Sequence, residues 1–125
     1  MGRESLHIYS FSSIMGAEIA YLRRERLLSG KELGGLVGLS QQQISRYERG
    51  VCEVSVVTLC SLLHQLDVSL DSFFYFVVLR LKKSQPLLYT QYNSLFKTRG
   101  EILFKAREKI LKARNEQDVY AWFEK

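Results

Sequence analysis

The chain has 125 residues, of which 46% are hydrophobic and 25% charged, a composition typical of a globular domain that buries a core. Its net charge of +5 favours an anionic partner such as nucleic acid. The longest apolar run, residues 73–79, is far shorter than the roughly 18 residues of a membrane span, and residues 1–13 lack the apolar stretch of a secretory signal. We therefore expect no membrane association and a cytoplasmic location.

The charge is unevenly distributed. Residues 1–79 hold seven Lys/Arg and eight Asp/Glu, a net charge of −1, whereas residues 80–125 hold eleven and five, a net charge of +6. Bulk charge therefore does not mark the first part of the chain as a nucleic-acid site. A DNA-binding role there depends on the local placement of Arg46 and Arg49.

The first predicted helix follows a tail of residues 1–13, beginning near Ser13 and ending at Leu28. Arg23 lies beside apolar Leu22, where an unpaired charge is unfavourable. Its predicted inward residues are Ile19, Leu22 and Leu27, and its predicted outward residues are Arg24 and Glu25.

A second helix is predicted after Ser29, which forms a capping box with Glu32. Its apolar residues Leu33, Leu36 and Val37 are three and four apart, and Gly38 supplies the left-handed residue that ends a helix. Within it stand Gly34 and Gly35, which either weaken the helix by roughly 1 kcal/mol each relative to Ala or permit close contact with another helix.

A third helix of about nine residues is predicted between Ser40, paired with Gln43 in a second capping box, and Gly50. Ile44 and Tyr47 share one face. The residues predicted to point outward are Gln41, Gln42, Ser45 and Arg46. Glutamine can bond two edge atoms of adenine and arginine two of guanine, so this face suits the DNA major groove, although such residues also form ordinary solvated surfaces. The glycine-opened turn between the two capped helices favours a helix-turn-helix.

A fourth helix is predicted from Ser55 to Leu66, with an inward face of Val56, Leu59, Leu62, Leu63 and Leu66. On it Cys60 and His64 are four apart. Two ligands are too few for a metal site, so we expect a packed thiol and a surface imidazole, with no metal. Cys52 and Cys60 match no CxxC pattern and are expected to be free and reduced.

A fifth helix is predicted to begin after Ser69 and to be apolar on every side through Leu81. A small domain covers one side of such a helix, which leaves the C-terminal helices, a second subunit or both to cover the rest; a β-strand is the alternative. Further helices are predicted from Pro86, from Arg99 to about Arg114, and near Trp122. Their basic face is open to three interpretations, as part of a dimerisation module, a second phosphate-binding surface or a solvated face. The predicted dimerisation residues are Phe73, Phe76, Val77, Leu81, Leu103 and Ile110.

Residues 14–76 resemble the Cro/C1-type (XRE-like) helix-turn-helix domain of phage repressors and bacterial regulators. The resemblance is carried by Leu22-Arg23, Ser29 to Leu33, Val37-Gly38, Gln41 to Gly50, Leu59, Leu62, Leu66 and Val68 to Asp71. It implies an all-α fold, a five-helix DNA-binding bundle over residues 14–79 with a basic helical extension over residues 80–125. The motif from Ser40 to Gly50 is also similar to regulators encoded beside fimbrial operons of enteric bacteria, which link adhesion to motility.

The same resemblance implies that Arg23 and Glu48 form a semi-buried ion pair between the first and third helices. Glu48 is then structural, because no partner acid, histidine or nucleophile lies near it in sequence. Many family members carry glutamine or serine where this chain has Gly30, so Gln41 lacks a possible brace. The predicted phosphate-binding residues are Ser29, Gly30, Lys31 and Arg49.

Two functional hypotheses follow from the sequence. The first is a sequence-specific, double-stranded DNA-binding regulator of transcription, such as a repressor, that acts as a homodimer. The second is a protein-interaction module such as an antitoxin or adaptor, docking through the aromatic helix and the C-terminal helices. The sequence has no phosphate loop, zinc-hydrolase motif or nucleophile elbow, so we expect no catalytic residues and no cofactor. Nothing in it resembles a ligand pocket or sensing domain, so we also expect no small-molecule effector.

Overall fold

A computed structural model describes residues 3–96, with side chains from residue 11 onward. This part of the chain contains six α-helices, a further helical segment over residues 93–96 and no strand, which confirms the all-α fold and excludes the strand considered for residues 73–79. The helices are α1 (Arg3–Glu25), α2 (Gly30–Val37), α3 (Gln41–Glu48), α4 (Val56–Leu66), α5 (Leu70–Ser84) and α6 (Pro86–Gln91). The predicted boundary between residues 79 and 80 falls inside α5, and two compact units divide between Tyr89 and Thr90.

Four of the helices begin at a serine whose hydroxyl oxygen accepts a hydrogen bond from the backbone N–H three residues later. These N-caps are Ser29, Ser40, Ser55 and Ser69, and their bonds are 3.0, 3.0, 3.1 and 3.1 Å long. Such a bond satisfies one of the backbone donors that a helix leaves free at its start. The predicted starts of α2 to α5 are therefore confirmed.

The core draws apolar side chains from all the helices around it. Seven of them are under 2% exposed, namely Ile19, Leu33, Ile44, Leu62, Leu66, Phe73 and Leu81. Leu22, Leu59 and Leu63 are also buried, as predicted. The predicted inward positions Leu27 and Val56 are wrong, because these side chains are 90% and 72% exposed.

Helix α1 differs from the prediction at both ends. It begins at Arg3 rather than near Ser13, since residues 3–13 contain neither proline nor glycine to stop it. It ends at Glu25, and Leu27 adopts a left-handed φ of 56° in the turn before α2. That turn directs the Leu27 side chain away from the core.

Helix α5 buries one stripe and exposes the rest of its apolar surface. Phe73, Val77 and Leu81 are buried within the chain's own core, so they are not available to contact a second subunit, contrary to the prediction. Phe76 is 46% exposed. The other predicted dimerisation residues, Leu103 and Ile110, lie outside the described residues, as do the helices predicted beyond residue 98.

The exposure of Cys60 and His64 on α4 tests what was predicted for these two side chains. Cys60 is exposed, so the prediction of a packed thiol is wrong, whereas His64 is exposed as predicted. Cys52 is half-buried, and both cysteines are free thiols.

Within residues 3–96 no single helix is long and apolar enough to cross a membrane; α4 and α5 reach that length and composition only as a pair bent by 103°.

Candidate nucleic-acid interface

A tight turn sets α2 against α3. Gly38 has a left-handed φ of 74°, which glycine adopts without steric conflict. Its N–H and that of Leu39 both donate to the carbonyl oxygen of Gly34, the latter over 2.8 Å. The chain then enters α3 at Ser40. This capped pair of short helices has the arrangement of a helix-turn-helix, with α3 in the position of the second helix.

The capping boxes differ between the two helices. In α2 the box is complete, because the Ser29 N–H also donates to Glu32 Oε1 over 3.0 Å. In α3 the bond from the Gln43 N–H to Ser40 Oγ forms without the predicted return bond from the Gln43 side chain. Gln43 is half-buried beside the cap. The start of α3 therefore rests on the serine alone.

Helix α3 has one buried flank and one open face. Ile44 is 1% exposed and Tyr47 is half-buried, so these two residues attach the helix to the core. The exposed residues of the open face are Gln41, Gln42 and Arg46, and half-buried Ser45 lies at its edge. The structure thus brings the predicted base-reading side chains together on one accessible surface.

A paired charge holds the other end of α3 to α1. Arg23 Nε and Nη2 donate to the two oxygens of Glu48 over 2.6 and 2.9 Å, and Arg23 Nη1 donates to the carbonyl oxygen of Leu28 over 2.8 Å. The pKa of Arg23 is raised, mainly by its hydrogen bond to Glu48. The backbones also approach closely, because a Cβ at Gly16 would collide with the carbonyl oxygen of Tyr47. The ion pair implied by the family resemblance is present.

The predicted phosphate-binding residues flank the open face in two groups. Ser29 is bonded to Glu32 through both its N–H and its hydroxyl, so its role here is to cap α2. Gly30 and Lys31 form the first turn of α2, and the Lys31 side chain is exposed. At the other end of α3, exposed Arg49 is the C-cap residue.

A second ion pair, which was not predicted from the sequence, joins Glu18 and Arg80. Arg80 Nε donates to Glu18 Oε1 over 2.6 Å, and the Arg80 guanidinium lies 5.6 Å from the centroid of the Tyr21 ring. Glu18 is 2% exposed. It stands four residues from both Ile14 and Leu22, and a carboxylate in that stripe of buried positions was the available signal for a paired acid.

Comparisons with known proteins agree with this geometry. A helix-turn-helix family model matches residues 19–73. An uncharacterized HTH-type transcriptional regulator of Rickettsia conorii is 30% identical over 95 residues, which are 76% of this chain and 74% of that protein. The chain belongs to the XRE-type helix-turn-helix transcriptional regulators. As a member of this family it is a DNA-binding regulator of transcription, and duplex DNA is its partner.

Further relatives of this XRE-type regulator include a second HTH-type transcriptional regulator, from Rickettsia prowazekii, also 30% identical over 95 residues, or 76% of this chain and 72% of that one. Among solved structures, the clp gene regulator ClgR from Corynebacterium glutamicum superposes with a TM-score of 0.52 at 27% identity. That match covers 54% of this chain and 86% of ClgR. A second ClgR structure, at 22% identity and a TM-score of 0.54, shares the fold over 71% of this chain.

Proposed function

We propose that this regulator binds a specific double-stranded DNA sequence as a homodimer, with α3 in the major groove. The observation that carries the proposal is the exposure of two amides and a guanidinium on a helix whose opposite flank is buried, whose start follows a turn bonded to α2 and whose end is paired with α1. Such a helix presents base-reading donors and acceptors at a fixed position.

Base reading is assigned to Gln41, Gln42 and Arg46. Each is exposed, and within the described part of the chain the Arg46 side chain forms no hydrogen bond or ion pair, so its guanidinium is available for a guanine edge. Ser45 lies at the margin of this contact. Phosphate binding is assigned to the first turn of α2 at Gly30 and Lys31 and to Arg49. Ser29 contributes by capping that turn.

The proposal of a homodimer rests on a limit of the recognition helix. One helix of eight residues reads few base pairs, and specific affinity generally requires two half-sites roughly 34 Å apart. The exposed apolar residues of α5 favour a role in dimerisation; they are Leu70, Phe74, Tyr75, Phe76 and Leu79, each between 39% and 62% exposed.

The regulated genes are proposed from the recognition motif alone. Residues 40–50 are similar to regulators encoded beside fimbrial operons, so control of fimbrial expression and motility is the proposed biological role. Repression by occupying an operator in the cytoplasm is the simplest mode, because it requires neither an effector nor a further domain.

The exposed side of α5 also supports a second candidate, a protein-interaction module such as an antitoxin or adaptor. Tyr75 is 62% exposed and Phe74 41%, and exposed apolar surface of this kind marks contact sites for other proteins when it is contiguous. In that case the full chain alone would be a monomer, and co-expression of a partner would cover α5.

Selection of bound duplexes from a random DNA pool, combined with a measured molecular mass, tests the proposal. The expected result is a two-fold symmetric site and the mass of a dimer. Selection of no common sequence would contradict specific binding. A monomer that is soluble only with a co-expressed partner would favour the interaction module.

A further inference from the structure

Ser45 and Arg49 are linked on the exposed side of α3. The Arg49 Nε–H donates to the Ser45 hydroxyl oxygen over 3.2 Å. The backbone joins the same residues, because the Arg49 N–H donates to the Ser45 carbonyl oxygen over 3.0 Å. An exposed side-chain hydrogen bond adds little to the stability of a fold. Its main effect is to restrict the direction of the guanidinium.

This bond leaves the two terminal nitrogens of Arg49 as donors at the outer end of the side chain. A guanidinium carries five N–H donors in a planar fork. With Nε engaged, the remaining four are on Nη1 and Nη2, and no residue within the described range is hydrogen-bonded to either nitrogen. Two parallel N–H groups match two phosphate oxygens.

Arg46, three residues earlier on α3, provides a contrast. It is exposed like Arg49, but it has no hydrogen bond that restricts its side chain among the described residues. An unbonded guanidinium can turn to meet a base edge in the groove, whereas the Nε bond holds the Arg49 guanidinium in one direction. Arg46 on α3 and Arg49 at its C-cap therefore suit different tasks.

We infer that Ser45 is a positioning residue that orients Arg49 toward a DNA phosphate and does not read a base itself. The inference rests on the proposed function and refines the assignment of Ser45 within it. An arginine already held in its binding geometry loses less rotamer freedom when it binds. Ser45 thereby raises affinity for all duplexes without adding sequence preference.

Binding by the full chain and four variants tests this role: Ser45→Ala, Ser45→Thr, Arg49→Ala and the Ser45→Ala/Arg49→Ala pair. Affinity is measured for a selected site and for a random duplex. We expect Ser45→Ala to weaken both about two- to tenfold, the effect of one freed side chain. Ser45→Thr keeps the hydroxyl and should bind both duplexes as the unsubstituted protein does. In the Arg49→Ala background, Ser45→Ala should have no further effect on DNA affinity. The melting temperature of the Ser45→Ala variant should match that of the unsubstituted protein.

Other outcomes overturn the inference. A loss confined to the selected site, with altered base preference, would show that Ser45 reads a base. An equal loss in the Arg49→Ala background would show that it acts independently of Arg49. The Nε–H signal of Arg49 in NMR spectra tests the link without DNA: Ser45→Ala should speed its exchange with water, and unchanged exchange contradicts the link. Failure of the parent to bind any duplex would overturn the proposed function, while the NMR result still decides the link.

Discussion

Arg23 holds both oxygens of the Glu48 carboxylate, with N to O distances of 2.6 and 2.9 Å, across the contact between α1 and α3. The two side chains are only 14% and 12% exposed, so solvent screens the pair weakly. Helix α3 has eight residues and is too short to be stable alone. The pair fixes its C-terminal end while Ile44 fixes its flank, which gives the open face a defined position.

Replacing Glu48 tests the contribution of this ion pair to stability. Glu48→Ala should lower the free energy of unfolding by about 3 kcal/mol, because it leaves the Arg23 charge partly buried without its partner. Urea denaturation measures the change. Exposed Glu25 on α1 provides the matched control, since Glu25→Ala removes a carboxylate that forms no described ion pair. Equal, small effects of the two substitutions would contradict a structural role for Glu48.

The capping box of α2 predicts a dependence on pH. Hydrogen bonds from Ser29, first from its backbone N–H and then from its side chain, lower the pKa of Glu32 below its ordinary value of 4.5. A carboxyl group with a lowered folded-state pKa stabilises the fold above its ordinary pKa, and this stabilisation is lost as the pH falls through the folded-state value.

Glu32→Gln should therefore reduce the loss of stability on acidification below pH 4.5, the ordinary pKa value for this side chain. Thermal melts across the acid range measure this effect, and an NMR titration of the Glu32 carboxyl gives the direction of its shift. Glu25→Gln is the control. A titration at or above the ordinary value would contradict the capping box.

Alanine substitutions at two adjacent glycines of α2 should change the stability of the fold in opposite directions. A Cβ at Gly35 meets nothing within 4 Å, so Gly35→Ala should raise the free energy of unfolding by up to about 1 kcal/mol. A Cβ at Gly34 would collide with the carbonyl oxygen of Leu39, which belongs to the turn before α3. Gly34→Ala should therefore destabilise the fold and weaken DNA binding. Urea denaturation that gave both alanines the same sign would contradict the described packing of α2 on the turn.

The buried carboxylate of Glu18 makes Arg80 important for stability. Arg80→Ala should lower the free energy of unfolding by about 2 kcal/mol, less than for a fully buried pair because the Arg80 side chain is 38% exposed. Lys83→Ala removes an exposed cation from the same helix and should have little effect. The measurement is again urea denaturation, and an unchanged midpoint for Arg80→Ala would contradict a stabilising role for the Glu18–Arg80 pair.

The features predictable from the sequence were those encoded locally. Ser29 and Ser69 lie within three residues of the N–H groups that they cap, so spacing alone located the helix starts. Leu27 and Val56 continue an apolar pattern but lie beside helix ends, where the chain turns away from the core, and periodicity does not show this. The Glu18–Arg80 pair joins residues 62 apart, and their approach depends on how α1 packs on α5. The Arg23–Glu48 pair also depends on how two helices pack, so periodicity could not predict it. The family resemblance implied it instead.

The most direct test of base reading by α3 compares the parent with Arg46→Ala on the selected DNA site and on the same site altered one base pair at a time. Arg46→Ala should lose about 1 to 3 kcal/mol of binding free energy on the selected site. That loss should disappear on the site altered at the base pair that Arg46 contacts. Undiminished binding by Arg46→Ala, or an equal loss on every altered site, would contradict the assignment of α3 as the helix that reads the sequence.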